Sequence, residues 1–225
     1  MNQVVPPPYR GPQPGSPEQV SAISAELCRL YPDAKTSLNF SNPLELLVAT
    51  MLSAQTTDER VNLVTAHLFK KYRTAKDYAT VSQDELEQDI KSTGFYHIKA
   101  KHLRATAQRL MTNYGGEVPR TMEELLTLPG VARKTANVVL GNAYGIMVGF
   151  VVDTHVARLA RRFGWTSSED PVKIEQDLMR IIPKEDWLDL SHLLIAHGRA
   201  ICTARKPACA ACALAEWCPS AFRVV

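Results

Sequence analysis

The feature that most constrains this chain is a proline–glycine turn placed between two stretches with helical sequence signals. Before the turn, Thr121 and Glu124 have the spacing of a capping box, which predicts a short helix. Pro129-Gly130 ends that helix, because proline lacks an N–H and glycine tolerates turn conformations closed to other residues. A second helix is predicted from about Arg133, where apolar residues recur at helical spacing. The sequence therefore predicts a helix N-terminus directly behind a tight turn.

This predicted helix N-terminus favours an anion, because its first N–H groups lack helical partners and the helix dipole is positive there. Lys134 lies in the first turn of the helix. It is a candidate nucleophile, or else a phosphate contact in a hairpin that only binds a nucleic acid. As a nucleophile its amine must lose a proton, which burial and the neighbouring charge of Arg133 would favour.

The remainder of the chain predicts an all-α protein. The best strand candidate, residues 148–152, is short and lies beside two predicted helices, so it does not indicate a sheet. Ser16-Pro17 and Asn42-Pro43 each place a capping residue before a first-turn proline, which predicts helix starts. The segment up to Pro17 holds six of the 14 prolines and no periodic apolar pattern. Residues 1–16 are therefore predicted to be a disordered tail.

Charge is informative in its distribution rather than its sum. A net charge of +3 and a sequence pI of about 8.6 would not by themselves identify a nucleic-acid-binding protein. Two intervals, 90–116 and 125–152, contain basic residues and no acid. These runs predict either solvated helix faces or a surface that holds phosphates.

The five cysteines indicate metal binding or chemistry rather than disulfides, because no signal peptide or membrane-spanning segment is evident and a reducing, cytoplasmic location is expected. Four of them follow the spacing Cys202-x6-Cys209-x2-Cys212-x5-Cys218. Four thiolates satisfy either zinc or a four-iron cluster, and the spacing alone leaves both open. Arg205 and Lys206, between the first two cysteines, are candidate phosphate contacts.

Asp153 has two interpretations in the sequence VDTH. It precedes a basic helical pattern and has the right character for its N-cap. A carboxylate could equally accept a proton or stabilise positive charge in a reaction. His155 could contact a phosphate or cap the same helix.

LPGVARKTANVVL followed by VDTH resembles the helix-hairpin-helix and catalytic aspartate of the endonuclease III family, the bifunctional DNA glycosylases. The resemblance runs from about Ser21 to Cys218, and the cysteine spacing matches the family's [4Fe–4S] motif. It implies a helix-hairpin-helix DNA glycosylase fold in two domains. A six-helix barrel domain (37–148) would contain the hairpin (121–144). A discontinuous cluster domain (17–36 and 149–225) would form a DNA-binding cleft with it, with Lys134 on one wall and Asp153 on the other.

The resemblance also implies an activity. Such an enzyme removes oxidised pyrimidines from double-stranded DNA through a Schiff base on Lys134 and then nicks the abasic strand by β-elimination, with Asp153 as electrostatic and proton-transfer partner. The implied partner is duplex DNA with damaged bases or abasic sites. The protein is expected to be a monomer that associates with the nucleoid and not with a membrane.

Further DNA contacts follow from the matching motifs. The glutamine of LSAQ would enter the space left by the extruded base, and the turn after Gly94 would push into the duplex. Its residues are also candidates for the core at a helix end. One departure is that the hairpin's usual second glycine is Ala132. The implied contact residues are Gln55, Phe95, Tyr96, His97, Ile98, Leu128, Gly130, Ala132, Arg133, His155, Arg205 and Lys206.

Two other functional classes fit parts of the pattern. A non-catalytic helix-hairpin-helix DNA-binding module with a structural metal site would also contain the turn, the basic runs and the cysteines. An iron–sulfur redox sensor that binds DNA would use the same cluster for regulation.

Overall fold

The structure is a computed structural model that describes residues 9–223, and the secondary structure of those residues is helical throughout. The all-α prediction is confirmed. Within the same residues, no helix combines the length and apolar character that crossing a bilayer requires. The α-helices are α1 Pro17–Leu30, α2 Pro43–Leu52, α3 Asp58–Lys71, α4 Ala75–Thr80, α5 Gln83–Ile90, α6 Tyr96–Asn113, α7 Met122–Leu125, α8 Arg133–Tyr144, α9 Thr154–Arg162, α10 Pro171–Ile181 and α11 Trp187–Ala200.

Several helix starts are those predicted from capping residues. The Ser16 side chain accepts a hydrogen bond from the Gln19 N–H, and Asn42 accepts one from the Glu45 N–H at 3.0 Å. In both helices proline occupies the first turn, where a missing N–H costs nothing. Helix α8 begins at Arg133 as expected.

Other elements differ from the sequence expectation. The basic stretch after Gly94 predicts a helix from about Lys99, and helix α6 begins three residues earlier, at Tyr96. Helices α4 and α10 are not among the predicted elements. Helix α4 has only six residues and is held by a capping box in which Asp77 takes the place usual for Glu or Gln. Helix α10 carries the same signal as α1, an N-cap (Asp170) followed by proline.

The chain forms two compact units, and Thr36–Val148 is one of them. We call it the barrel unit; it contains α2–α8. Helix α2 is its central element, because every residue from Leu46 to Leu52 is buried. A helix that is apolar on all sides must be surrounded by others. Burying each large apolar side chain contributes about 1.5–3 kcal/mol.

The second unit, here the cluster unit, joins the chain up to Lys35 to the chain from Gly149 onward. It contains α1 and α9–α11. The buried Gln19 links its distant segments: the side-chain NH₂ donates to the carbonyls of Trp217 (2.8 Å) and Phe163 (3.2 Å), and the side-chain oxygen accepts from the Trp165 indole N–H at 3.0 Å. An amide satisfied on both sides makes a stable polar centre in an apolar core.

The proline-rich segment differs from its prediction in part. Residues 1–8 lie outside the described residues. From residue 9 onward the chain makes defined contacts, since the Tyr9 hydroxyl donates to the Pro12 carbonyl at 2.7 Å and approaches the Trp217 carbonyl at 3.3 Å. Gly15 N–H also donates to the Gln19 side chain at 2.7 Å. One half-buried aromatic side chain, Tyr9, thus orders a segment whose composition predicts disorder.

The turn between α7 and α8 requires glycine. Gly130 has φ +77°, and a Cβ placed on it would lie 2.7 Å from His102 Nδ1 on helix α6. The same helix binds the turn directly, because the Thr106 hydroxyl donates to the Pro129 carbonyl at 2.6 Å. The hairpin is therefore held by both backbone conformation and close packing on α6.

We predict that Gly130→Ala destabilises the protein more than Gly145→Ala. Gly145, after α8, also has positive φ (+67°) but nothing within 4 Å of its added Cβ. A left-handed alanine costs about 1–2 kcal/mol at either position, and only Gly130→Ala adds the clash with His102. Urea unfolding measures the difference, and His102→Ala should reduce it. Equal losses in the two glycine variants would contradict the packing explanation.

Candidate functional site

The N-terminus of α8 is open to a ligand. Ala132 occupies the N-cap position with φ −96° and ψ 170°, and no side chain caps the helix. This extended conformation suits alanine, so the methyl group that replaces the family's second glycine does not strain the backbone. Lys134 is exposed in the first turn, and Arg133 beside it is half-buried. The Lys134 amine is therefore not buried in the free protein.

Leu128 has a different place from the one expected of a DNA contact. Its side chain is 2% exposed and belongs to the core of the barrel unit. It anchors the hairpin from beneath, so a contact with DNA could involve only its backbone.

Gln55 lies in the turn that joins α2 to α3. Its side chain is exposed and its φ is +54°, the left-handed region that residues other than glycine seldom adopt. Thr56 and Glu59 have the spacing of a helix start. It is Thr57, however, that caps α3, by accepting a hydrogen bond from the Arg60 N–H. The exposed Gln55 side chain therefore projects from a strained turn and not from the end of a helix.

The second turn has the same character. Phe95 has φ +47° and is 63% exposed, and Ile98 in the first turn of α6 is 57% exposed. Both exposures exclude the core interpretation for these two residues. Tyr96 instead packs against the core of the barrel unit. His97 is exposed and pairs through Nδ1 with Glu87 at 2.5 Å.

These separate stretches of sequence converge in the barrel unit. One shallow pocket is bordered by residues of the Gln55 turn, the Phe95 turn, helix α6 and the hairpin. The lining residues are Met51, Ala54, Gln55, Phe95, Ile98, Lys99, His102 and Gly130. Three segments that the family resemblance implies as DNA contacts thus share one surface.

Lys99 was not singled out by sequence reasoning. Although charged, it is 7% exposed, and its ammonium donates to the carbonyls of Leu52 (2.8 Å) and Thr93 (2.7 Å) and to the Thr56 hydroxyl (2.8 Å). Burial lowers the pKa of Lys99 to about 8. Its place in a basic run predicted either a solvated side chain or a phosphate contact, and no local signal distinguishes it from the exposed Lys101.

Asp153 lies at the start of α9 in the cluster unit. Its Oδ1 accepts hydrogen bonds from the His155 and Val156 N–H groups, both at 2.8 Å, so the capping interpretation is observed. Within residues 9–223, no hydrogen bond to Oδ2 is found. Capping therefore occupies one carboxylate oxygen and leaves the second for chemistry.

Arg158 connects this helix start to the cysteine segment. Its guanidinium donates to the carbonyls of Cys202 (3.0 Å) and Gly198 (2.9 Å) and lies 3.0 Å from His155 Nδ1. Burial, and to a lesser extent Arg158, lowers the pKa of His155. The half-buried His155 is thus part of the packing beneath Asp153.

The four clustered cysteines surround one small apolar pocket in the cluster unit. Among residues 9–223, no group of three or more His, Cys, Asp or Glu side chains is placed to hold a single metal ion. A four-iron cluster takes one thiolate per iron, so its ligands stand around a volume rather than around a point. Burial raises the pKa of the Cys218 thiol to about 11, and iron charge would offset that cost. The set fits a cluster better than a single zinc ion.

Two side chains lie close to the ligand sulfurs, and neither role was identified from the sequence. Arg162 Nη1 lies 3.0 Å from Cys202 Sγ and also donates to the Thr203 carbonyl at 2.8 Å. The buried His197 lies with Nε2 3.5 Å from Cys212 Sγ. Donors beside thiolates orient the ligands and stabilise their charge. Arg162 could have been suspected from its position one helical turn after Arg158.

Arg205 and Lys206 lie on the loop between the first two cysteines, and both are exposed. The Thr203 hydroxyl donates to the Lys206 carbonyl at 2.8 Å, which closes this loop on itself. Arg205 and Lys206 are therefore exposed on a short loop that begins next to Cys202.

Comparison with known proteins gives consistent matches. A family model described as HhH-GPD superfamily base excision DNA repair protein matches residues 48–184, and the iron-sulfur binding domain of endonuclease III matches residues 202–218. Endonuclease III of Synechocystis is 53% identical over 91% of this chain and 93% of its own length.

Two solved structures have the same fold. A non-covalent endonuclease III–DNA complex superposes with a TM-score of 0.89 and 44% identity, covering 92% of this chain and 97% of that one. A trapped endonuclease III–DNA covalent intermediate gives the same TM-score and identity over 92% and 98% of the two chains.

We predict that Arg162→Met weakens retention of the metal centre, because Cys202 loses its donor and the loop loses its anchor. Loss of a residue that supports a ligand typically costs on the order of 10- to 100-fold in metal affinity. Iron release to a chelator, followed by visible absorbance, measures the change. Arg161→Met is the control, since Arg161 pairs with the exposed Glu169 on the surface. Equal release from both variants would contradict this role.

Proposed function

The chain belongs to the endonuclease III family of bifunctional base-excision DNA repair enzymes, and from this premise we propose that it excises oxidised pyrimidines from duplex DNA with Lys134 as nucleophile. It binds DNA and carries a [4Fe–4S] cluster. The observation that carries the proposal is the shared surface of the Gln55 turn, the Phe95 turn and the hairpin. A base must leave the duplex before its glycosidic carbon can be reached, so the enzyme needs side chains that fill the gap.

Gln55, Phe95 and Ile98 are suited to that task. All three are exposed in the free protein, and the first two are held by left-handed backbones. Apolar side chains can part base steps at a cost of a few kcal/mol per step. The glutamine amide can donate and accept, so it can pair with the base left without a partner. We assign gap filling to Gln55 and wedging to Phe95 and Ile98, and none to Tyr96.

Lys134 would supply the covalent chemistry. Its amine attacks the sugar C1′, the C1′–N bond breaks, and the bond's electron pair leaves with the base. The resulting amine–sugar adduct opens to an imine. Removal of a C2′ proton then expels the 3′ phosphate, which breaks the strand. Because Lys134 is exposed in the free protein, the water-free environment this attack requires would be created by the bound DNA.

Asp153 would serve the same reaction from the start of α9. Its Oδ1 is engaged as helix cap, which fixes the carboxylate, while Oδ2 can accept a proton from the lysine or stabilise positive charge on the sugar. A catalytic carboxylate that also caps a helix is held in one orientation without further support.

Phosphate binding would fall to cations and helix ends. The uncapped N–H groups at Ala132 and the start of α8 suit one phosphate. Arg133, Arg205 and Lys206 would hold others as charged donors. We propose that a monomer suffices for these contacts and that the enzyme acts on nucleoid DNA.

The [4Fe–4S] cluster would have a structural role here. Cys202, Cys209, Cys212 and Cys218 would hold it, and the bound cluster would supply the rigidity that a short polar segment cannot provide by packing. Through Arg158 and Arg162, the same segment is tied to α9 and hence to Asp153.

We predict that Lys134→Ala removes both base excision and strand nicking but still binds duplex DNA containing an abasic-site analogue. The variant loses the amine while the hairpin backbone remains. Gel-based cleavage and a binding titration measure the two properties. Lys173→Ala, an exposed lysine on α10, is the control and should retain both. Nicking by Lys134→Ala at the wild-type rate would contradict the nucleophile assignment.

We predict that Asp153→Asn separates chemistry from capping. Asparagine caps helices about as well as aspartate, so thermal stability should be retained, while loss of the charge should slow excision on the order of 100-fold or more. Asp153→Ala should lose both activity and about 1 kcal/mol of stability. Calorimetry and single-turnover rates measure the pair. If Asp153→Asn excises at the wild-type rate, Asp153 is only a cap.

A further inference from the structure

The side chain of Lys99 joins two turns that the proposed function assigns to DNA. An ammonium has three N–H bonds, and each finds an oxygen acceptor within 2.8 Å: Leu52 O, Thr56 Oγ1 and Thr93 O. All three donors are therefore used internally. Lys99 is not available as a nucleophile or a phosphate contact in this arrangement.

Two of the acceptors are carbonyls at the ends of helical elements. Leu52 is the last residue of α2, and Thr93 is the last residue of the 3₁₀ turn Lys91–Thr93. The final carbonyls of a helix lack intrahelical partners, and the dipole there favours a cation. One ammonium thus satisfies two helix ends at once. Thr56 adds a direct link, because its hydroxyl also donates to the Thr93 carbonyl.

Each of these ends leads directly into a strained turn. Gln55 follows Leu52 by three residues, and Phe95 follows Thr93 by two. Among residues 9–223, Phe222 is the sole other non-glycine residue with positive φ. Such conformations persist where the surroundings hold them. Lys99 binds the carbonyls of Leu52 and Thr93, a few residues before these two turns. Gln55, Phe95 and Lys99 line the same pocket.

We propose that Lys99 is a positioning residue for base excision, which fixes the Gln55 turn against the Phe95 turn so that both enter the duplex as one rigid unit. The proposal rests on the gap-filling and wedging roles given above to these turns. The amine acts through the backbone of the two turns and does not touch the reacting sugar. A loss of this link would leave both side chains present but misplaced.

The test compares a substrate whose base must be extruded from a duplex with a substrate that needs no extrusion. Single-turnover excision of an oxidised pyrimidine in a duplex requires extrusion of the base. Nicking of a preformed abasic site in single-stranded DNA requires only the lysine chemistry. Lys99→Met keeps a similar length and removes every donor. We expect duplex excision to fall on the order of 10- to 100-fold, the usual cost of a small misplacement, and single-strand nicking to be unchanged.

A milder variant covers the case in which Lys99→Met folds poorly. Thr56→Val keeps the branched shape and the Lys99 charge but removes the hydroxyl that accepts from Lys99 and donates to Thr93. Thr56→Val should reduce duplex excision by a smaller factor than Lys99→Met and should leave single-strand nicking unchanged. Lys76→Met, on an exposed position of α4, should match the wild type in both assays.

The possible outcomes distinguish a failure of the Lys99 proposal from a failure of the proposed base-excision function. A wild-type enzyme inactive on both substrates refutes the proposed function. With an active wild type, equal loss on both substrates accompanied by lower thermal stability assigns Lys99 a purely structural role and overturns the proposal. Unchanged duplex excision in both Lys99→Met and Thr56→Val overturns it as well.

Discussion

The barrel unit depends on the contact between one face of α6 and the hairpin before α8. His102 fills the space that a Cβ on Gly130 would need, and Thr106 donates to the Pro129 carbonyl. Four residues before His102, Ile98 lies beside Phe95 at the rim of the shared pocket. Because positions three and four apart share a helix face, one helix sets both the wedge turn and the turn that starts α8. The place of Lys134 follows from that start.

Charges at helix ends perform most of the positioning in both units. In the barrel unit the Lys99 ammonium binds the ends of α2 and the 3₁₀ turn. In the cluster unit Asp153 caps α9, and arginines further along α9 hold the carbonyls and sulfur of the cysteine segment. Hydrogen bonds to charged groups contribute about 1.5–3 kcal/mol each and have strict geometry. Active-site geometry is therefore defined by polar contacts, and the apolar cores mainly supply stability.

Sequence reasoning identified what local signals encode. N-caps followed by proline predicted the starts of α1 and α2, and cysteine spacing predicted a metal centre, because such signals act within a few residues. Burial is not local. Nothing in the sequence near Lys99 indicates that carbonyls of α2 and the 3₁₀ turn surround its ammonium. Nor does the sequence near Leu128 indicate that the core covers its side chain. The left-handed φ of Gln55 and Phe95 likewise follows from packing, since neither residue type favours it.

The assignment of the nucleophile can be tested by chemical trapping. Borohydride reduction during turnover converts an imine into a permanent bond between protein and sugar, and peptide mass spectrometry then locates the modified lysine. Lys134 and Lys99 both lie in the barrel unit; the first is exposed, whereas the second is buried with its pKa lowered to about 8. We expect the sugar remnant on the peptide that contains Lys134. A remnant on Lys99, or an unmodified protein despite active nicking, would contradict the mechanism.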